Sequence, residues 1–253
     1  MIPLISLIAI ICFAVYFLSV KKKIVEPVIV DSRLLEEKVL FYSKLNPAEK
    51  KQFEKNVKEF LAEVKITGIN TVVTELDRIL IAAAAVIPIF YFKEWKYFNL
   101  QEVLLYADAI NMNFESTGNE DRNILGMVGS GVYEGKMFLS KYSLEEGFNN
   151  KTDKNNTAIH EFVHLIDKTD GDTDGVPAVL LDKKFVIPWI NLIHEQMKEI
   201  VKNESDINPY ATMNEAEFLA VTAEYFFGRP DMLEEKHPEL FMMLKQMFSA
   251  QAV

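Results

Sequence analysis

His160-Glu161-Phe162-Val163-His164 puts two imidazoles and a carboxylate into five consecutive residues. On a helix, residues four apart share a face one turn apart, so both rings can reach one zinc ion. Glu161 then sits where a carboxylate can take a proton from a water on that ion. The neighbours Ala158, Ile159, Phe162, Val163, Leu165 and Ile166 are all uncharged, which predicts a helix buried on most sides. Imidazoles and a carboxylate are costly in such a place unless a metal or partners satisfy them. An amphipathic helix with partly solvated histidines is the alternative.

A catalytic zinc site needs a third protein ligand and leaves a fourth position for water. The chain has four histidines and one cysteine, Cys12. Thiolate sites and internal disulfides are therefore excluded, and carboxylates must complete the set. Glu217 and Glu224 are seven apart on an otherwise apolar helix pattern, so they share a face. Either is a candidate ligand, with the other behind it. Asn214 and Glu217 also have the spacing of a capping box, and Glu224 also fits a solvated or salt-bridged residue. Asp167, three residues after His164, is placed to accept the free N–H of a liganding imidazole. Tyr210 gains interest only if the loop before the Glu217 helix faces the metal, where a phenol can hydrogen-bond an oxyanion. Asp170-Gly171-Asp172-Thr173-Asp174-Gly175 imitates a calcium loop, but its required Glu would fall on Leu181, so a tight turn is the simpler account. His194 and His237 read as structural or exposed.

The elements that must position these residues follow from pattern. Of 253 residues, 49% are hydrophobic, enough for a substantial core. The formal charge of −10 argues against nucleic acid or anionic lipid as a general partner. Ile2 to Val20 is almost wholly apolar and just long enough to cross roughly 30 Å of hydrocarbon. Lys21, Lys22 and Lys23 follow, with no basic residue before. This predicts an uncleaved single-pass anchor in the inner (cytoplasmic) membrane, with the rest of the chain facing the cytoplasm. A lipoprotein signal is disfavoured, because Ile11 precedes Cys12. The division is residues 1–23 as anchor and basic stop, 24–32 as tether, and 33–253 as one domain.

Within that domain, residues 33–45 read as helical. Asn46-Pro47-Ala48-Glu49 predicts a capped helix through Phe53, Val57 and Phe60. Thr74 opens a second, whose apolar run to Phe92 is too short for a membrane span and is interrupted by Pro88. Strand signals fill residues 98–142, with Met127-Val128 and Met137-Phe138-Leu139 predicting a hairpin. The Gly126-x-x-Gly129-x-Gly131 cluster lacks the Gly-Lys-Ser/Thr ending of a phosphate loop. Helices are predicted at 153–168, 183–203, 214–227 and 238–248. The class is α+β, mainly helical with a small sheet upstream of the motif helix.

His160 to Asp167, Asp170-Gly171, Gly175-Val176-Pro177, Tyr210-Ala211, the run Glu215 to Phe227 and Ile81 to Pro88 together resemble the zinc metallopeptidases of the Mlc titration factor A family. The resemblance runs over most of residues 33–248. It implies a zincin-like fold related to the lethal factor catalytic domain. It implies one zinc ion held by His160, His164 and Glu217, with Glu161 as general base and Tyr210 stabilising the transition state. Asp167 and Glu224 remain candidates behind the ligands. It further implies cleavage of short peptides with aminopeptidase activity, and a transcriptional regulator as partner. The anchor departs from the soluble namesake. The competing expectation is a weakly catalytic or non-catalytic zinc module that holds a cytoplasmic regulator at the membrane. A purely structural zinc site is disfavoured, since such sites are closed by four protein ligands and no suitable Cys or third nearby His is present.

Overall fold

The computed structural model describes residues 29–92, 95–111, 123–149 and 154–249. The expected anchor at residues 2–20, its lysine stop and the first part of the tether lie outside the described residues. Among the described residues no helix is long and apolar enough to cross a membrane.

The predicted helix at 33–45 is two pieces, α1 (Ser32–Lys38) and α2 (Leu40–Ser43), broken where Val39 takes an extended backbone. Next, α3 (Pro47–Glu63) starts on the expected capping box. Asn46 Oδ1 accepts from the Ala48 and Glu49 amides, and Glu49 Oε2 accepts from the Asn46 amide. Its buried stripe is Phe53, Val57 and Phe60, one turn apart each time. Strand β1 (Lys65–Ile69) follows directly, with Gly68 next to its last residue.

Helix α4 (Glu75–Ile89) is the centre of the core. Thr74 and Asp77 cap it reciprocally, and every residue from Ile79 to Ile89 is buried. Its four alanines, 82 to 85, present little bulk, so neighbouring helices can approach closely. Pro88 falls in the last turn and does not break the helix.

The strands β2 (Glu102–Tyr106), β3 (Gly126–Val128) and β4 (Lys136–Ser140) complete a sheet of order β1-β2-β4-β3. The first three in that order are parallel, and β3 runs antiparallel to β4 on the edge, opposing Met127 to Phe138. Side-chain alternation divides the two faces. Ile66, Val103, Leu105, Met137 and Leu139 join the helical core, while Tyr106, Phe138 and Met127 form a smaller cluster with Ile110 and Ile124.

After α5 (Lys141–Asn149), the motif helix α6 (Thr157–Asp167) begins with Asn156 Oδ1 accepting from the Ile159 amide. It packs against α4, β3 and the later helix α8 (Glu215–Gly228), with α7 (Lys183–Val201) between them in sequence. Two short helices close the described chain: α9 (Pro230–Lys236), which the sequence pattern does not announce, and α10 (Pro238–Phe248). The α+β class, mainly helical with a small sheet, is the observed one.

Candidate metal centre

Helix α6 presents His160, Glu161 and His164 to a cleft of about 930 Å³ between β3 and α8. Helix α8 brings Glu217 from the other side. His160 Nε2 and His164 Nε2 are 3.0 Å apart, and Glu217 Oε2 lies 3.0 Å from the first and 3.5 Å from the second. Donors on a tetrahedral zinc with bonds near 2.05 Å are separated by about 3.3 Å, so these three atoms fit three corners. They are the cluster of this kind among the described residues. The capping-box alternative for Glu217 is only half realised. Asn214 Oδ1 accepts from the Glu217 amide, but the Glu217 carboxylate faces the imidazoles and not the cap.

Glu224 stands behind His160. Its Oε1 accepts from His160 Nδ1 at 2.7 Å, and its Oε2 accepts a short hydrogen bond from the backbone amide of Asn156. One carboxylate thereby orients the ring and anchors the N-cap of the helix that carries it. A hydrogen bond on the outer nitrogen leaves Nε2 as the natural metal-facing atom. Asp167 does not take the corresponding place behind His164. Its Oδ2 accepts from the Gly175 amide at 2.8 Å, while Asp167 Oδ1 and His164 Nδ1 are buried without a hydrogen-bond partner. Asp167 sits at the end of the helix, where the following turn supplies the Gly175 amide as a donor.

Burial and charge push the carboxylates apart. Burial raises the Glu161 pKa, against the lowering charges of His160 and His164. Glu217 is held down at about 2: burial opposes this, but hydrogen bonds from His160 and His164 outweigh it. Burial likewise works to lower the His160 pKa, yet Glu217 and Glu224 lift it to about 10. Burial raises Asp167 to about 6 against the Gly175 amide.

Tyr210 lies in a 3₁₀ turn, Pro209–Thr212, with its amide capped by Asn208. It lines the cleft, half-exposed, its ring centre 6.1 Å from that of His160. His194 is exposed and faces Glu215, and His237 is bound to Asp206 and Gln196, so neither joins the site.

Two features escape sequence reasoning. The first is Gly126. A side chain there would meet Glu161 Cγ at 2.7 Å and Glu161 Oε1 at 2.8 Å, so bare backbone lies against the Glu161 carboxylate. The signal was present in the glycine cluster, whose phosphate-loop reading fails while its need for close approach does not. The second is the Asn156 amide, which only a cap assignment at 156 would have flagged. Among the described residues no strand pairs with the outer edge of β3. Leu125 O accepts from Ser140, and Gly129 N donates to Lys136. The antiparallel alternation therefore turns the N–H and C=O of Gly126 and Val128 outward along the cleft.

Comparison with known proteins gives the chain a family. The model of the glucose-regulated metallo-peptidase M90 family matches residues 21–249. An uncharacterized protein of Synechocystis is 24% identical over 225 residues, covering 85% of this chain and 82% of that protein. Mlc titration factor A of Pectobacterium atrosepticum is 31% identical over 37% of each chain, and that of Escherichia coli O127:H6 is 29% identical over 58% of each. The match thus spans less than two thirds of either titration factor. Because the family model runs through the helices and strands that build the cleft and on to the last described residue, this chain belongs to the glucose-regulated metallo-peptidase M90 family, in company with the Mlc titration factor A proteins.

Proposed function

We propose that this protein is a zinc-dependent peptidase of zincin-like fold, with His160, His164 and Glu217 as ligands. The observation that carries the reading is the approach of the Glu217 carboxylate, from a helix 57 residues along the chain from His160, to within ligand spacing of both imidazoles. A zinc ion on these donors supplies a Lewis acid for the scissile carbonyl and a water acidic enough to react near neutral pH.

The chain's own residues do the rest. Glu161 is the proton carrier: its buried carboxylate, with a raised pKa, takes a proton from the attacking water and delivers it to the leaving amine. Tyr210 lends its phenol to the developing oxyanion. Glu224 keeps His160 in one tautomer and orientation. The outward backbone groups of Gly126 and Val128 offer an extended peptide a strand to pair with, alongside Glu161. We expect Glu161→Gln to retain zinc and to lose about 10²- to 10⁴-fold in kcat on a peptide substrate. Undiminished turnover by that variant would overturn the mechanism.

Aminopeptidase action on short peptides is part of the proposal. So is placement in the inner membrane through residues 2–20, with the catalytic domain in the cytoplasm. A reporter joined after Val253 is expected to be active only in the cytoplasm, and periplasmic activity would reverse the topology. The names of the relatives support a second reading, in which the domain sequesters a transcriptional regulator of the Mlc kind. A Glu161→Gln strain separates the two. If it matches wild type while a deletion has a phenotype, binding is the function.

A further inference from the structure

The turn that follows the motif helix lies against the helix that carries Glu217. Gly175 has φ +76, and a Cβ built there would stand 2.3 Å from Glu215 O, 2.4 Å from Glu215 C and 2.9 Å from the Ala216 amide nitrogen. All three are backbone atoms in the first turn of α8, one and two residues before Glu217. The same glycine is fixed on its other sides by two buried hydrogen bonds. Its amide donates to Asp167 Oδ2 at 2.8 Å, three residues past His164 on α6. Its carbonyl accepts from Trp189 Nε1 at 2.7 Å on α7, and the fully buried Trp189 ring packs against Phe218, next to Glu217.

We infer that Gly175 is a positioning residue for the metal centre: wedged between the end of α6 and the start of α8, it sets the distance between the histidine pair and Glu217. The inference rests on the zinc reading above. The physical reason is contact length. Helix α8 approaches Gly175 as closely as it does only because no Cβ intervenes. Restoring ordinary contact to a methyl group requires a retreat of order 1 Å by the first turn of α8. That turn cannot retreat without carrying Glu217 with it, whereas His160 and His164 lie on a different helix. The inferred role accounts for the Asp170–Gly175 segment without any ion of its own. Asp167, too, works through this junction and not as the partner of His164.

The test uses the full-length protein, with zinc affinity read by competition against a chromophoric chelator and the ligand set read from the visible spectrum of the cobalt(II) form. Gly175→Ala is expected to keep its helical circular dichroism and to lose 10- to 100-fold in zinc affinity. Its cobalt spectrum should move toward that of Glu217→Ala, a signature that general destabilisation would not produce. Trp189→Phe removes the second hydrogen bond from a position remote from the histidines, and should shift affinity and spectrum in the same direction by a smaller factor. A folded Gly175→Ala protein with wild-type affinity and spectrum would overturn this inference alone. If Gly175→Ala does not fold, an unchanged Trp189→Phe spectrum overturns it. Wild-type protein that takes up no zinc overturns the peptidase reading and this inference together.

Discussion

Helices α6 and α8 both bring carboxylates to the same cleft, but they are held there by different means. On α6, His160, Glu161 and His164 are fixed relative to one another by helix geometry alone, so five residues specify their arrangement. On α8, Glu217 owes its place to contacts from elsewhere: Glu224 to His160 and the Asn156 amide, Phe218 to Trp189, and the first turn to Gly175. The surroundings also divide the labour between like residues. Burial beneath β3 raises the proton affinity of Glu161, while two imidazoles lower that of Glu217. A proton carrier and a ligand can thus be the same amino acid, separated by what faces it.

The strongest way to break the comparison is to remove the distal contribution. Glu217→Ala leaves two imidazoles and should lose well over 100-fold in zinc affinity, because a ligand goes and not merely its support. Glu224→Ala removes only the support behind His160 and should cost about 10- to 100-fold. Equal losses for the two would mean that Glu217 is no more than a partner of the imidazoles, and competition against a chelator distinguishes the cases.

The same asymmetry explains what was legible in the sequence. The capping box at Asn46, the helix start at Thr74, the buried alanine helix and the β3–β4 hairpin all depend on residues close in the chain, and each stands where the pattern puts it; the motif helix is there too, but begins at Thr157, four residues later than expected. Glu217 and Glu224 were recognisable as one helix face, but not which of them meets the Nε2 atoms. That depends on how α8 is rotated against α6, which residues 57 and 64 positions from His160 cannot encode locally. The break at Val39 and helix α9 escaped for a related reason: neither has an apolar period long enough to show. Asp167 had the right spacing for His164, but its one hydrogen bond is to the Gly175 amide, and Asp167 Oδ1 and His164 Nδ1 both stay without a partner.

A smaller effect sharpens the electrostatic half of the comparison. In the protein without metal, the carboxylates raise the His160 pKa to about 10, while Glu217 is already ionised above about 2. A liganding imidazole must give up its Nε2 proton, so zinc and proton compete at His160 and not at Glu217. The sign follows: apparent zinc affinity should fall as pH drops below about 10, by roughly tenfold per unit, with about one proton released per ion from His160 near pH 8, beyond any that the water on the ion gives up. Calorimetry in buffers of different ionisation heat measures that proton. Uptake without proton release at pH 8 would show that Glu217 and Glu224 do not hold His160 in its charged form.

The mildest expected change lies on the α6 side and isolates Glu161. Gly126→Ala would place a methyl group 2.7 Å from Glu161 Cγ and from Thr157 Cγ2, and 2.8 Å from Glu161 Oε1. Unlike the backbone atoms around Gly175, these belong to side chains, and the Glu161 carboxylate can swing aside. The fold and the zinc site should therefore survive, with affinity unchanged. The carboxylate, however, would leave the line between water and leaving group. A displacement of order 1 Å in a catalytic group can cost up to about 100-fold, so a kcat loss of about tenfold or more is expected, with zinc content intact. Loss of zinc together with activity would place Gly126 among the supports of the metal centre. Unchanged kcat would mean that Glu161 does not need the bare backbone of β3 against it.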